Sequence, residues 1–271
     1  MTKFTCPVCG DRLITDDRIM HCLNGHCYDL SKYKTVNLMR SQKSGKKRHG
    51  DDRLMLNARC NFLSKGFYEP LLKAVTDKVC TVAHGEPITV LDAGCGEGYY
   101  TSYIQEVLGN SDVYGIDISK DALISAAKRN KNLHLAVASC AEIPVADRSC
   151  DVVLNIFSPT ISEEFARILT DGGYLIRVIP LEMHLFGLKK SIYDKPYKNK
   201  PESMVLDGFK LTDKTDIKYS LTLTDNDDIQ NLFKMTPYYY KTSREDQAKL
   251  KTLRYLETEI EFGILSYVKE V

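Results

Sequence analysis

Val90-Leu-Asp-Ala-Gly-Cys-Gly-Glu-Gly-Tyr-Tyr-Thr101 is the stretch on which the reading of this chain turns. Ile88 to Leu91 is apolar and reads as a buried strand, closed by Asp92. Gly94, Gly96 and Gly98 then form a tight turn ahead of a helix starting at Tyr99. Glycine is needed where the backbone turns sharply and admits a ligand to contact distance. Val113-Tyr-Gly-Ile-Asp117 is a second apolar strand ending in an acid, about 20 residues further on, where a ribose-binding carboxylate belongs. Outward from there, Ser119 is placed to cap a helix through Arg129. Leu133 to Ala138, Val152 to Asn155 and Tyr174 to Ile179 read as further strands. Strands alternating with helices argue for an α/β fold with a parallel sheet. Thr258 to Val268 alternates apolar and polar and is expected to be a final antiparallel strand.

The chain has 271 residues and is 43% hydrophobic, enough for one large domain or a domain with a small module. It has no run of eighteen apolar residues, and Met1-Thr-Lys-Phe-Thr-Cys6 lacks the apolar core of a signal peptide. Nine cysteines without an export signal argue for a reducing compartment. A cytoplasmic protein with no membrane partner is expected. Net charge is +1, but residues 1–60 carry +6 and the remainder −5. A polyanion is therefore expected to be gripped near the N-terminus.

That end also holds a metal-ligand pattern. Cys6-Pro-Val-Cys9 is followed by Cys22 and His26. Two compact knuckles place four donors round one ion, which suits structural zinc. Cys27 is an alternative to His26, and His21 is a spare. The segment is too short to bury much apolar surface, so the metal supplies its folding energy. Tyr28 to Ser31 and Tyr33 to Leu38 read as short strands of the same module. Ser41 to Gly50 is a loop with Lys43, Lys46, Lys47 and Arg48, which is either a solvated linker or a phosphate-contacting segment. Asp51 to Ser64 reads as a helix with Asp51 or Asp52 as its N-cap, and Tyr68-Glu-Pro70 opens another.

Strand, D-x-G-C-G-x-G turn, helix, strand and Asp117 together resemble the Rossmann-like domain of class I S-adenosylmethionine (SAM)-dependent methyltransferases. A closer resemblance covers essentially the whole chain. Its marks are C-P-x-C, C-x3-H, the basic loop, Gly50-Asp51, Ala58-Arg59-x-x-Phe62-Leu63, Gly66-x-Tyr68-x-Pro70-Leu71 and then Leu91-Asp92-x-Gly94-Cys-Gly-Glu-Gly-Tyr-Tyr-Thr101. This set is similar to the bacterial 23S rRNA (guanine-N1)-methyltransferases of the RlmA type. The resemblance implies zinc on Cys6, Cys9, Cys22 and His26. It implies SAM contacts from Tyr68, Gly96, Glu97 and His184 of the H-L-x-x-L-K segment. It implies methyl transfer to N1 of a guanine in a hairpin loop of domain II of 23S rRNA, by an enzyme of a family that includes homodimers. Cys60 departs from the pattern, which has a second arginine after Arg59.

In this fold Asp92, Gly94, Gly98 and Asp117 complete the cofactor set, and Ser139-Cys140-Ala141-Glu142 falls where adenine is contacted. Asn155-Ile-Phe157-Ser158-Pro159 leaves the fourth strand where amino-methyltransferases hold the target nitrogen, so these residues are target-pocket candidates. Residues 194–207 read as a lid or RNA-facing loop, and Thr236 to Tyr240 as core packing beside the cleft. The expected organisation is a zinc-binding module at 1–40, a basic linker with bridging helices at 41–82 and a methyltransferase domain at 83–271. The runner-up is a SAM-dependent methyltransferase of a small molecule or protein, with the zinc knuckle purely structural.

Overall fold

A computed structural model describes residues 2–40 and 52–270. The basic loop with Lys43, Lys46, Lys47 and Arg48, together with Gly50 and Asp51, lies outside the described residues. The N-terminal segment forms a three-stranded antiparallel sheet of β1 (Ile14–Asp16), β2 (Ile19–His21) and β3 (Cys27–Asp29), followed by β4 (Val36–Asn37). Two helices come next, α1 (Arg53–Ser64) and α2 (Glu69–Ala83). Asp52 caps α1 by accepting from the Met55 amide at 2.9 Å, and Pro70 sits in the first turn of α2.

The alternating part runs β5 (Thr89–Ala93), α3 (Tyr99–Leu108), β6 (Asp112–Asp117), α4 (Lys120–Arg129), β7 (His134–Val137), β8 (Cys150–Ile156), α5 (Ser162–Ile168), β9 (Leu169–Pro180) and α6 (Phe186–Ile192). The chain closes with β10 (Phe209–Leu223), α7 (Asn226–Lys234), α8 (Arg244–Lys249) and β11 (Leu256–Lys269). Eight strands form one sheet in the order β10-β11-β9-β8-β5-β6-β7-β4. β4 to β9 pair in parallel, while β11 runs antiparallel to both β9 and β10. The strand order reverses between β5 and β8, and in open α/β sheets the ligand crevice opens there, at the carboxyl ends of the strands.

Alternate residues of the strands feed two cores. Val90, Val113, Val152 and Leu154 pack under α1 to α4, α6 and α7. Leu91, Ala93, Tyr114 and Val153 face α5 and the N-terminal segment. That segment is moored to the sheet. Phe4 meets the Tyr114 ring edge-on at 5.2 Å, and the Thr5 amide donates to Pro144 O at 2.9 Å. Val36 bridges to Leu30 within the N-terminal module, in line with the sequence, yet Val36 and Asn37 also serve the large sheet. They pair with Ala136 and Val137 and form the outermost strand of the large one. Val36 and Leu38 are buried, and apolar side chains between polar neighbours are more stable against the uncovered edge of β7 than in a three-stranded ribbon. Among the described residues no helix is long and apolar enough to cross a membrane.

Candidate functional site: a glycine turn, a target pocket and a metal centre

The glycine turn follows β5. The Gly94 and Cys95 amides both donate to Ile116 O at 2.9 Å, tying the turn to β6. A Cβ on Gly94 (φ +90°) would lie 2.4 Å from Ser158 Cβ, and one on Gly98 (φ +76°) 2.8 Å from Ala126 Cβ. Both positions therefore need glycine for space as well as for conformation. Gly98 leads directly into α3, whose first turn has no side-chain cap to take up its amides.

Three carboxylates gather here. Asp92 is 2% exposed. Its Oδ2 accepts from Thr101 Oγ1 at 2.6 Å, and its Oδ1 has no hydrogen-bond partner. Burial pushes Asp92 up to about 7 against the Thr101 hydrogen bond, with Asp117 and Glu97 adding repulsion. Asp117 closes β6 and accepts from the Gly96 amide at 3.0 Å and the Ser119 amide at 2.7 Å. Glu97 is buried beside the turn. Cys140 and Ala141 form a tight loop in which the Ala141 amide donates to Ser139 Oγ at 3.1 Å. Burial, together with the charges of Asp117 and Asp92, pushes the Cys140 thiol up to about 12. Glu142 instead pairs with Arg40 of the N-terminal segment at 2.6 Å.

On the β8 side, Asn155 is buried and its carboxamide is spent locally. Nδ2 donates to Ser158 Oγ (2.6 Å), Ser158 O (3.1 Å) and Pro159 O (3.2 Å), while Oδ1 accepts from Thr160 at 2.9 Å. Ser158 Oγ in turn donates to Ala93 O. Asn155 thus shapes the turn, and the turn presents Phe157. That ring is 50% exposed, sits at φ +56° and lies 5.1 Å from the Phe262 ring. An aromatic in the left-handed region is held there by its surroundings, a pattern concentrated at ligand sites.

Phe262 continues the wall to His184 at 4.3 Å and Tyr68 at 5.2 Å. Tyr68 stands at the start of α2 and His184 in the turn after β9. Burial, with some repulsion from Lys189, drops His184 to about 3, so its ring is neutral. His184 Nδ1 accepts from the Glu261 amide at 3.3 Å, which leaves Nε2 as the protonated nitrogen.

The second cluster lies in the N-terminal segment. One donor atom each of Cys6, Cys9, Cys22 and His26 falls within 4.8 Å of the others. Cys22 Sγ is 3.6 Å from Cys9 Sγ and 3.3 Å from His26 Nδ1. Cys27 turns away and is exposed, its thiol directed at Gly25 O. Burial pushes the Cys6 thiol up, but hydrogen bonds from Tyr28 and the backbone outweigh it and bring the group down to about 6. Three sulfurs and one imidazole in this spacing fit a tetrahedral zinc ion with no open position.

Residues 4–47 match the model for the RlmA N-terminal domain, a zinc ribbon, and residues 90–173 match a methyltransferase domain. A Bacillus subtilis protein named "Putative 23S rRNA (guanine-N(1)-)-methyltransferase YxjB" is 32% identical over 99% of this chain and 98% of its own length. The 23S rRNA (guanine(748)-N(1))-methyltransferase of Streptomyces fradiae is 33% identical over 68% of this chain and 65% of its own length. The chain belongs to the RlmA-type 23S rRNA (guanine-N1)-methyltransferases.

As an RlmA-type enzyme it uses SAM and a structural zinc ion. The crevice fits SAM on its own terms. A buried carboxylate oxygen without a partner, beside two further acids, calls for a cationic ligand, and SAM brings an ammonium and a sulfonium. Since the folded value of Asp92 is raised, its contribution to stability is present below the ordinary carboxylate value and lost as pH rises through about 7. SAM favours the ionised form, so its affinity is expected to rise about tenfold from pH 6 to pH 8. Titration calorimetry across that range checks this, with Asp92→Asn expected to flatten the dependence. A slope that survives in the variant would assign it to another group.

What the sequence did not single out here is Phe262, whose ring meets those of Phe157, His184 and Tyr68. It lies in a strand whose alternation reads only as core, so no local pattern could mark it.

Proposed function

We propose that this RlmA-type enzyme methylates N1 of a guanine in a hairpin loop of domain II of 23S rRNA, and that its two clusters divide the work. Residues 1–40 grip the RNA, residues 41–82 bridge, and residues 83–271 carry out the transfer. The observation that carries this reading is that the glycine turn and the Phe157 turn abut: a Cβ on Gly94 would lie 2.4 Å from Ser158 Cβ, and Ser158 Oγ donates to Ala93 O.

SAM supplies a methyl group already activated on sulfonium. The protein's task is alignment, an orientation effect that contributes about 7–11 kcal/mol at best. Gly96, Gly98 and the first turn of α3 receive the carboxylate end, Asp92 faces the ammonium, and Asp117 meets the ribose hydroxyls. Cys140 and Ala141 border the adenine. Tyr68 and His184 wall the methyl side, where a neutral imidazole adds no positive charge beside the sulfonium. Guanine N1 is hidden in a Watson–Crick pair, so the target base is unpaired or flipped. Phe157, exposed and backed by Phe262, offers the stacking face, and Ser158 and Pro159 form the rim. Asn155 acts behind them by holding the turn. The enzyme works in the cytoplasm, and a homodimer sets two ribbons on one RNA.

The test is methyl transfer from labelled SAM to 23S rRNA that lacks this modification, with the nucleoside identified and mapped. One 1-methylguanosine in the domain II hairpin is expected. Bound SAM with no transfer to RNA would move the substrate to a small molecule or protein.

A further inference from the structure

Lys189 in α6 has no exposed surface (0%), yet among the described residues no carboxylate pairs with it. Its ammonium donates to Asn199 Oδ1 at 2.6 Å and lies 4.3 and 4.9 Å from the ring centroids of Tyr197 and Tyr238. An ammonium is costly to bury among neutral groups, even with aromatic faces beside it. A methionine of similar length would fill the space without that cost. The charge therefore has a use, and its hydrogen bond shows where it acts.

Asn199 Oδ1 also accepts from Tyr238 Oη at 2.9 Å. An ammonium can only donate, so the carboxamide has one orientation: oxygen toward Lys189 and nitrogen away. Nδ2 then donates to His184 O at 2.8 Å and Leu181 O at 3.0 Å. The His184 carbonyl belongs to the peptide that enters Leu185, which is buried with φ +59°. Leucine is rarely found in this left-handed conformation, and such a residue persists only where its neighbours over-determine it. The His184 ring is held from the other side by the Glu261 amide and the Phe262 ring. Neighbouring contacts fasten the segment that carries Asn199. Lys198 pairs with Glu182 at 3.0 Å, and Arg177 binds Glu202 and, at 2.9 Å, Ser203 O.

We infer that Asn199, oriented by Lys189 and Tyr238, is a positioning residue that holds His184 in the cofactor crevice through the strained His184–Leu185 peptide. This rests on the assignment of His184 to the SAM site. The segment expected to be a lid or RNA-facing loop is thus also a strap, tied through Asn199 to the backbone of Leu181 and His184.

The experiment is a double-mutant cycle on the full enzyme with His184→Ala, Asn199→Ala and the pair, read as KM for SAM, KM for rRNA and Tm. His184→Ala alone is expected to raise KM for SAM. Asn199→Ala is expected to raise it by about tenfold, the size of one lost buried hydrogen bond, with KM for rRNA unchanged. The pair is expected to be no worse than His184→Ala, because both changes act through one ring. Lys189→Met keeps the volume and is expected to reproduce the Asn199→Ala rise. Additive effects, or equal losses for SAM and rRNA, would overturn the inference and leave Asn199 a general stabiliser. If His184→Ala binds SAM normally, the assignment of His184 fails and this inference falls with it.

Discussion

Cys22→Ala is expected to strip the zinc and unfold the ribbon while the enzyme still binds SAM. A ribbon this small has little core of its own, and structural zinc contributes on the order of 10–16 kcal/mol to comparable peptides. Cys22 is buried at the centre of the cluster, between Cys9 Sγ at 3.6 Å and His26 Nδ1 at 3.3 Å, so no neighbour can take its place. Cys27, the sequence alternative, points at Gly25 O and would have to reverse its knuckle to reach the metal. The residues assigned to the cofactor lie outside the ribbon, with Tyr68 at the start of α2 and the rest on β5 and later elements, so calorimetric SAM affinity should change little. Affinity for rRNA should fall by about a hundredfold or more at moderate salt, because several phosphate contacts are lost together. Tm should fall as well, since the ribbon covers Tyr114 and its neighbours on one face of the sheet. Zinc content by atomic absorption, SAM calorimetry and rRNA binding on one preparation separate these effects. An unchanged rRNA affinity in a zinc-free protein would remove the ribbon from substrate recognition.

Gly94→Ala is expected to damage cofactor binding and methyl transfer together. The new carbon would stand 2.4 Å from Ser158 Cβ at a φ of +90°. Ser158 cannot retreat easily, because Asn155 and Ala93 O both hold it. Overpacking and left-handed strain together cost about 3 kcal/mol. Either the glycine turn or the Phe157 turn must then move, so SAM affinity and methyl transfer should both fall by about a hundredfold. Gly96→Ala is the control. Its φ of +55° brings the same left-handed strain and it too belongs to the assigned cofactor turn, but its Cβ would meet only Arg59 Nη1, at 3.5 Å, so the variant lacks the clash between the turns and a milder loss of Tm and of methyl transfer is expected. If the two variants behave alike, the contact between the turns is not what joins cofactor and target.

The contrast between those two glycines shows where sequence reading stops. The strand–turn–helix from Thr89 to Leu108 was legible because its pattern is local: an apolar run, spaced glycines and an acid. The four zinc ligands were legible for the same reason: compact spacing favoured His26 over the alternative Cys27, and the structure brings Cys6, Cys9, Cys22 and His26 together. The second role of Val36-Asn37, as the edge strand beside β7, was not legible, because a two-residue strand carries no period and its partner is a hundred residues away. β9 starts at Leu169, yet residues 170–173 have no partner in β8: the register passes from Cys150–Leu169 to Val152–Tyr174, so Asp171-Gly172-Gly173 stands out of the pairing as an irregularity inside the strand. Asn155 was visible as a residue at the right strand end. That its carboxamide is consumed by Ser158, Pro159 and Thr160 is a matter of side-chain direction, which no one-dimensional pattern encodes. Lys189 was the least legible of all, because a lysine at a helical core position reads as surface.

The pairing of β4 with β7 has a further meaning for how a target is chosen. The ribbon is joined to the catalytic sheet through a shared strand and a shared core, so the span between metal centre and methyl site is part of the fold. On the proposed division of labour, the ribbon and crevice together form a ruler. An RNA held at one end presents to the other only the base that lies at the right reach. Among neighbouring guanines in one loop, which share the same hydrogen-bonding edge, length can then select where chemistry cannot.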